Sequence, residues 1–223
     1  LKISRNLSIT FVINSPEEFD YICLEGNKSV PAGFLRLISV NINDMKKVLI
    51  LGAGLVSKPM VEYLLEQGFE VIIATRTKEK ADKLLGGHKN GRTVAWVMED
   101  METLSGMVRD SDLTVSLLPY RFHVDVAKFC LKYRKPLVTT SYVSPAMQAL
   151  HDDAVKAGVI LLNEVGLDPG IDHMSAMRII DNVKQRGGKI EEFYSLCGAL
   201  PAPEDANNPL GYKFSWSPKG VVL

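Results

Sequence analysis

The residues Gly52-Ala53-Gly54-Leu55-Val56-Ser57 have the types and spacing that bear most directly on chemistry. They follow the apolar run Val48–Leu51 and open an amphipathic segment, the strand–bend–helix setting that gives a Gly-x-Gly pattern its meaning. The first glycine permits a tight turn, the second lets main chain approach a pyrophosphate, and the unpaired amides of the helix start face its charge. Gly52, Ala53, Gly54, Leu55 and Val56 are therefore candidate cofactor contacts. Ser57 stands at the third glycine position and is small enough for close helix-on-strand packing. The bland alternative is a glycine-rich turn that holds nothing.

A second group, Thr75-Arg76-Thr77, falls at the end of the next apolar run. An Asp or Glu there would bond the ribose hydroxyls of NAD and repel a 2′-phosphate. Arg76 instead brings a fixed cation with a planar donor fork between two hydroxyls, which suits that phosphate. The expected cofactor is NADP rather than NAD, against the plainer reading of Arg76 as a solvated surface side chain.

These groups need a frame to hold them. From Met45 onward, short apolar runs alternate with amphipathic stretches. Strands are expected at 48–51, 70–74, 93–97, 113–117, 136–138 and 159–162, with helices at 56–67, 78–85, 102–108, 122–133 and 145–157. Gly68 closes the first helix. This rhythm predicts an α/β fold, a doubly wound parallel sheet of the Rossmann type with helices on both faces. After Leu162 the rhythm changes: a longer helix over 169–184, a strand over 189–197, then a Pro-, Asn- and Gly-rich stretch over 199–212. The expected organisation is an extension over 1–44, a dinucleotide-binding domain over 45–165, and the truncated start of an α+β substrate domain over 166–223.

Composition narrows the function classes. The 223 residues carry 26 basic and 26 acidic side chains, so the balance offers no electrostatic reason for a nucleic-acid or anionic-membrane partner. Hydrophobic residues at 46% and charged residues at 23% suit a globular protein. The three cysteines, Cys23, Cys130 and Cys197, are scattered and form no C-x-x-C pair, so a cytoplasmic, reducing setting is expected. No run approaches the about 20 apolar residues that span a bilayer. His123 and His173 lack partners at metal-ligand spacing, so no metal is expected; a Gly-x-Ser-x-Gly hydrolase elbow is also missing.

Four further strings are more specific: Ser116-Leu117-Leu118-Pro119-Tyr120, Val138-Thr139-Thr140-Ser141-Tyr142-Val143-Ser144-Pro145, Asn163-Glu164-Val165-Gly166-Leu167-Asp168-Pro169-Gly170-Ile171-Asp172-His173, and Leu200-Pro201-Ala202-Pro203-Glu204 leading to Asn208-Pro209-Leu210-Gly211-Tyr212-Lys213-Phe214-Ser215-Trp216. In this order, over about 46–223, they closely resemble the saccharopine dehydrogenase family of the L-glutamate-forming type, also called saccharopine reductase. The resemblance implies a step of lysine metabolism by the aminoadipate route. Aminoadipate semialdehyde and L-glutamate condense to an imine, which hydride from the nicotinamide reduces to saccharopine. Fungal biosynthetic members resemble this chain at Thr75-Arg76-Thr77 and use NADP(H). Residues 1–44 show no resemblance to the upstream domain of the animal and plant fusions, which favours the biosynthetic sense.

The resemblance also implies site roles. Leu118, Thr140, Leu167, Asp168 and Pro169 join the cofactor contacts, and Ser141 and Tyr142 the substrate contacts. Asp168, Tyr142 and Cys197 are the candidate catalytic residues. Imine chemistry needs a placed acid or base. Without the resemblance, Asp168 before Pro169 reads as a helix N-cap, Tyr142 as a core aromatic and Cys197 as inert packing. Ala199 departs from the family's second glycine after the cysteine, and Val97-Met98-Glu99-Asp100 aligns too poorly with the family's Asp-Val pair to receive a role. The family's substrate-carboxylate arginine lies past Leu223, so the chain is expected to hold only part of an active site. The partners are small molecules, with no nucleic acid and no membrane, and there is room for a homodimer. Two other classes stay open: a non-catalytic NADP-binding module, and a related reductase such as carboxynorspermidine synthase.

Overall fold

The computed structural model describes residues 47–54, 57–196 and 201–213. They divide into two compact units, one up to Gly166 and one from Leu167 onward.

In the first unit, six parallel strands form one sheet: β1 (Lys47–Leu51), β2 (Glu70–Thr75), β3 (Gly91–Ala95), β4 (Leu113–Ser116), β5 (Leu137–Thr139) and β6 (Leu161–Leu162). Their order is β3-β2-β1-β4-β5-β6. The chain winds outward from β1 to β3, then returns to the other side of β1 and winds outward again. The direction therefore reverses between β1 and β4, and the carboxyl edge at such a switch point is where open sheets bind ligands.

The unbroken apolar runs reflect burial on both faces. Val48, Ile50, Val71, Ile73 and Val115 pack with Val61 and Leu65 of α1 (Lys58–Glu66) and with Ala81 and Leu85 of α2 (Lys78–Leu85). Their strand neighbours Leu49, Leu51, Ile72 and Ala74 point the other way. They meet Leu104 and Val108 of α3 (Met101–Arg109), Val126, Ala127 and Cys130 of α4 (His123–Tyr133), and Met147 of α5 (Pro145–Gln148). Each fully buried Leu or Ile contributes about 2 kcal/mol. Burial also pushes the Cys130 thiol up to about 12, so it stays protonated and acts as packing.

Local signals set the helix ends. Asp100 accepts from the Thr103 amide at 3.0 Å to start α3, and Ser144 from the Met147 amide at 3.2 Å to start α5. Gly68, at φ +83°, lets its own amide and that of Phe69 close on the Leu65 and Leu64 carbonyls after α1.

Several elements differ from expectation. The third strand, expected over 93–97, forms at Gly91–Ala95, where it pairs with β2, and the sixth, expected over 159–162, is confined to Leu161–Leu162, the residues that pair with β5. The helix expected over 145–157 breaks into α5 and α6 (His151–Ala157); the turn at Ala149–Leu150 lets Leu150 pack against the core. In the second unit, α7 (Ile171–Gln185) begins after Pro169, with Gly170 at the N-cap position. The expected strand over 189–197 is not formed in Lys189–Leu196: Phe193, Tyr194 and Leu196 are exposed, and no described strand pairs with them. Alternation without a ladder partner does not make a strand. No described helix is long and apolar enough to cross a membrane.

Candidate functional site

The bend after β1 turns on Gly52. Its amide donates to the Ala74 carbonyl at 2.9 Å while φ is +109°. Only glycine holds that φ at low cost. At Gly54 a Cβ would meet no described atom within 4 Å, so the main chain there is open to a ligand. Ser57 is buried, and its hydroxyl donates to the Gly54 carbonyl at 2.7 Å, tying the bend to the start of α1. Packing calls for a small residue here, and the hydroxyl adds a latch that glycine would lack.

Beside the bend lies a cleft of about 400 Å³. It brings together Gly52, Ala53, Gly54, Thr75, Arg76, Thr77 and Leu118 from the sequence-derived cofactor set. It also recruits residues that sequence reasoning missed: Lys80, Trp96, Met98, Glu99, Pro119, Arg121 and Phe122. Their signal was positional, since Trp96–Glu99 follow the end of β3, Lys80 lies one helical turn beyond Arg76, and Arg121 leaves β4 by the same edge. Trp96 is fixed as part of the wall by its indole N–H, which donates to the Asp100 carbonyl at 2.9 Å. The Arg121 guanidinium lies 4.6 Å from the centroid of the Phe122 ring. Among the lining side chains, Arg76, Lys80 and Arg121 outnumber the single carboxylate Glu99, so the cleft is electropositive. An open glycine bend and a cationic far end fit a phosphorylated dinucleotide.

Thr140, Ser141 and Tyr142 do not line that cleft; they leave the carboxyl end of β5. There, His123 is buried, with Nδ1 2.9 Å from Ser116 Oγ and Nε2 2.9 Å from Ser141 Oγ. Burial pushes its pKa down to about 4, so the ring is neutral at pH 7. Tyr142 is half-exposed. The Ser116–His123–Ser141 chain thus joins the ends of β4 and β5 on either side of the first turn of α4.

The second unit holds Leu167, Asp168 and Pro169 in the turn before α7, with a cis Asp168–Pro169 peptide. Asp168 is not the N-cap of that helix. Asp172 instead accepts from the Gly170 amide at 2.8 Å. Leu55, Val56 and Cys197 lie outside the described residues. Among the described residues, no group of three or more His, Cys, Asp or Glu side chains is arranged to hold a metal.

A 3-2-1-4-5-6 parallel sheet, a glycine bend after its first strand and a cleft at its switch point define a dinucleotide-binding domain of the Rossmann class. Residues 48–162 match the family model described as saccharopine dehydrogenase NADP binding domain, and residues 166–223 match that of the saccharopine dehydrogenase C-terminal domain. The chain belongs to the saccharopine dehydrogenase family. It is 48% identical over 180 residues to saccharopine dehydrogenase [NADP(+), L-glutamate-forming] of Schizosaccharomyces pombe, covering 80% of this chain and 40% of that protein. With the mitochondrial alpha-aminoadipic semialdehyde synthase of Bos taurus the identity is 43%, covering 83% of this chain and 20% of that protein. The solved apo saccharopine dehydrogenase of Saccharomyces cerevisiae superposes with a TM-score of 0.69 at 44% identity, over 79% of this chain and 40% of that one. The chain therefore spans less than half the length of these relatives.

Proposed function

We propose that this chain is the cofactor-holding part of an L-glutamate-forming, NADP-dependent saccharopine dehydrogenase working in the biosynthetic direction of the aminoadipate route to lysine. The observation that carries this reading is the match of residues 48–162 and 166–223 to two domains of one family, at 48% identity to a protein of that name. Residues 45–165 then serve the cofactor, and 166–223 begin the substrate domain.

In this reading, the amides of Gly52, Ala53 and Gly54, with Leu55 and Val56, hold a pyrophosphate against the start of α1. Arg76, flanked by Thr75 and Thr77, pairs with the 2′-phosphate, and Lys80 and Arg121 add to the positive field. Leu118 and Thr140 continue the cofactor surface toward β5. When bound, the cofactor supplies the hydride of the redox step. Ser141 orients a substrate carboxylate, and the Tyr142 phenol donates or accepts a proton at its Oη. Asp168 is the candidate carboxylate for proton transfer, Leu167 and Pro169 are candidate cofactor contacts, and Cys197 is a further catalytic candidate. Saccharopine, glutamate and aminoadipate semialdehyde are the small-molecule partners. A cytoplasmic homodimer belongs to the same proposal, supported on the first point by the scattered cysteines.

The test is saccharopine-dependent reduction of NADP and of NAD by the full-length protein. The reading predicts turnover with a clear preference for NADP. Absence of turnover with either cofactor, or preference for NAD, would contradict it.

A further inference from the structure

The segment Ser141–Val143 leaves β5 with Tyr142 half-exposed, yet it is held at three points. His123 reaches the Ser141 hydroxyl at 2.9 Å. Glu164 holds the other two: its amide donates to the Ser141 carbonyl at 3.1 Å, and its Oε1 accepts from the Val143 amide at 3.0 Å. To do so, Glu164 sits at φ +62°, in the left-handed region where a side chain costs energy and glycine does not. Its flanks are fixed as well. The Val165 amide donates to the Thr139 carbonyl at 3.0 Å, the Thr139 hydroxyl donates to Asn163 Oδ1 at 3.1 Å, and Asn163 Nδ2 donates to the Leu161 carbonyl at 3.1 Å.

A plain connection after β6 would place glycine at 164 and avoid the strain. What glutamate adds is a carboxylate, and the structure directs it to the Val143 amide. Neither Glu164 nor His123 lines the cofactor cleft, so the strained arrangement serves something else. Strain of this sort persists where the surroundings over-determine it, and it gathers at functional sites.

We propose that Glu164 is a positioning residue that, together with His123, clamps the Ser141–Tyr142–Val143 main chain so that the Tyr142 phenol is aimed at the amino-acid substrate. This rests on the reading of Tyr142 given under Proposed function. Glu164 acts through the loop and not on the reacting atoms.

The test compares Glu164→Gln, Glu164→Ala and Glu164→Gly in the full-length protein, reading saccharopine kcat/KM, NADPH Kd and Tm. Glutamine keeps an oxygen for the Val143 amide and is expected to hold kcat/KM within about threefold of the parent. Alanine and glycine keep the main-chain bond to Ser141 but lose the carboxylate that holds the Val143 amide, and are expected to lower kcat/KM about 100-fold, the scale of a small misplacement of a reacting group. NADPH Kd should stay within about threefold in all three, because the cleft is untouched. Glu164→Gly should melt no lower than the parent, since it removes the strain, and a merely structural role would not give lost activity without lost stability. The proposal is overturned if Glu164→Gly keeps the parent kcat/KM, if its Tm falls in step with activity, if NADPH affinity falls equally, or if Gln fails as badly as Gly. A parent that does not oxidise saccharopine overturns both this and the functional reading; an active parent with an indifferent glycine variant overturns this alone.

Discussion

Replacing His123 with Asn should change how stability depends on pH. In the folded chain the buried imidazole is pushed from 6.5 down to about 4, with burial as the cause. Above pH 6.5 both folded and unfolded states carry a neutral ring, and the contribution to stability is complete. As pH falls below 6.5, the unfolded ring takes up a proton that the folded ring refuses, so stability is lost down to about pH 4. The linkage amounts to about 2 kcal/mol lost at pH 5 and about 3 kcal/mol at pH 4. Carboxylates titrate in the same range, so the readout is the difference between two profiles. Urea unfolding of the parent and of His123→Asn should be followed at several values between pH 7.5 and pH 4.5. The variant is expected to be less stable at neutral pH, because its side chain cannot span Ser116 and Ser141, and its loss on acidification should be shallower by that amount. Parallel profiles would mean that His123 charges inside the fold, and the neutral bridge between β4 and β5 would be wrong.

Gly52→Ala should destabilise the chain by about 1–3 kcal/mol, from the positive φ that alanine resists, and should weaken NADPH binding; chemical denaturation and calorimetry read both. Ser57→Ala removes the latch to the Gly54 carbonyl and should cost about 1 kcal/mol by thermal melting. Tyr142→Phe in the full-length protein should lower kcat for saccharopine by about 100-fold with NADPH affinity unchanged; equal loss of both would place Tyr142 at the cofactor instead.

What could be read from sequence divides along physical lines. Strands β1 and β2 were legible because both faces are buried, which leaves runs such as Val48–Leu51 with no polar interruption. The glycine bend was legible because its constraint is local, a left-handed φ between a strand and a helix. Features set by distant parts of the chain were not. The break at Ala149–Leu150 depends on a core pocket for Leu150, and the alternation in Lys189–Leu196 had no partner strand among the described residues. Arg121 is far from Arg76 in sequence, and only the order β2-β1-β4 brings the exits of β2 and β4 close enough to share a cleft. Spacing along the chain shows only that His123 has no metal-ligand partners, whereas its partners in the fold are serines at the ends of two strands. The strain at Glu164 is likewise invisible in one dimension, since its φ is imposed by bonds to Ser141 and Val143.

The central claim is that the cleft beside Gly52–Gly54 grips a 2′-phosphorylated dinucleotide through Arg76. Calorimetric titration of the parent and of Arg76→Ala with NADPH and with NADH tests it most directly. The expected result is tighter binding of NADPH by the parent, with about 10- to 100-fold of that affinity lost in Arg76→Ala while NADH binding is unchanged. No heat with NADPH, or the same NADPH-to-NADH ratio in both proteins, would contradict it.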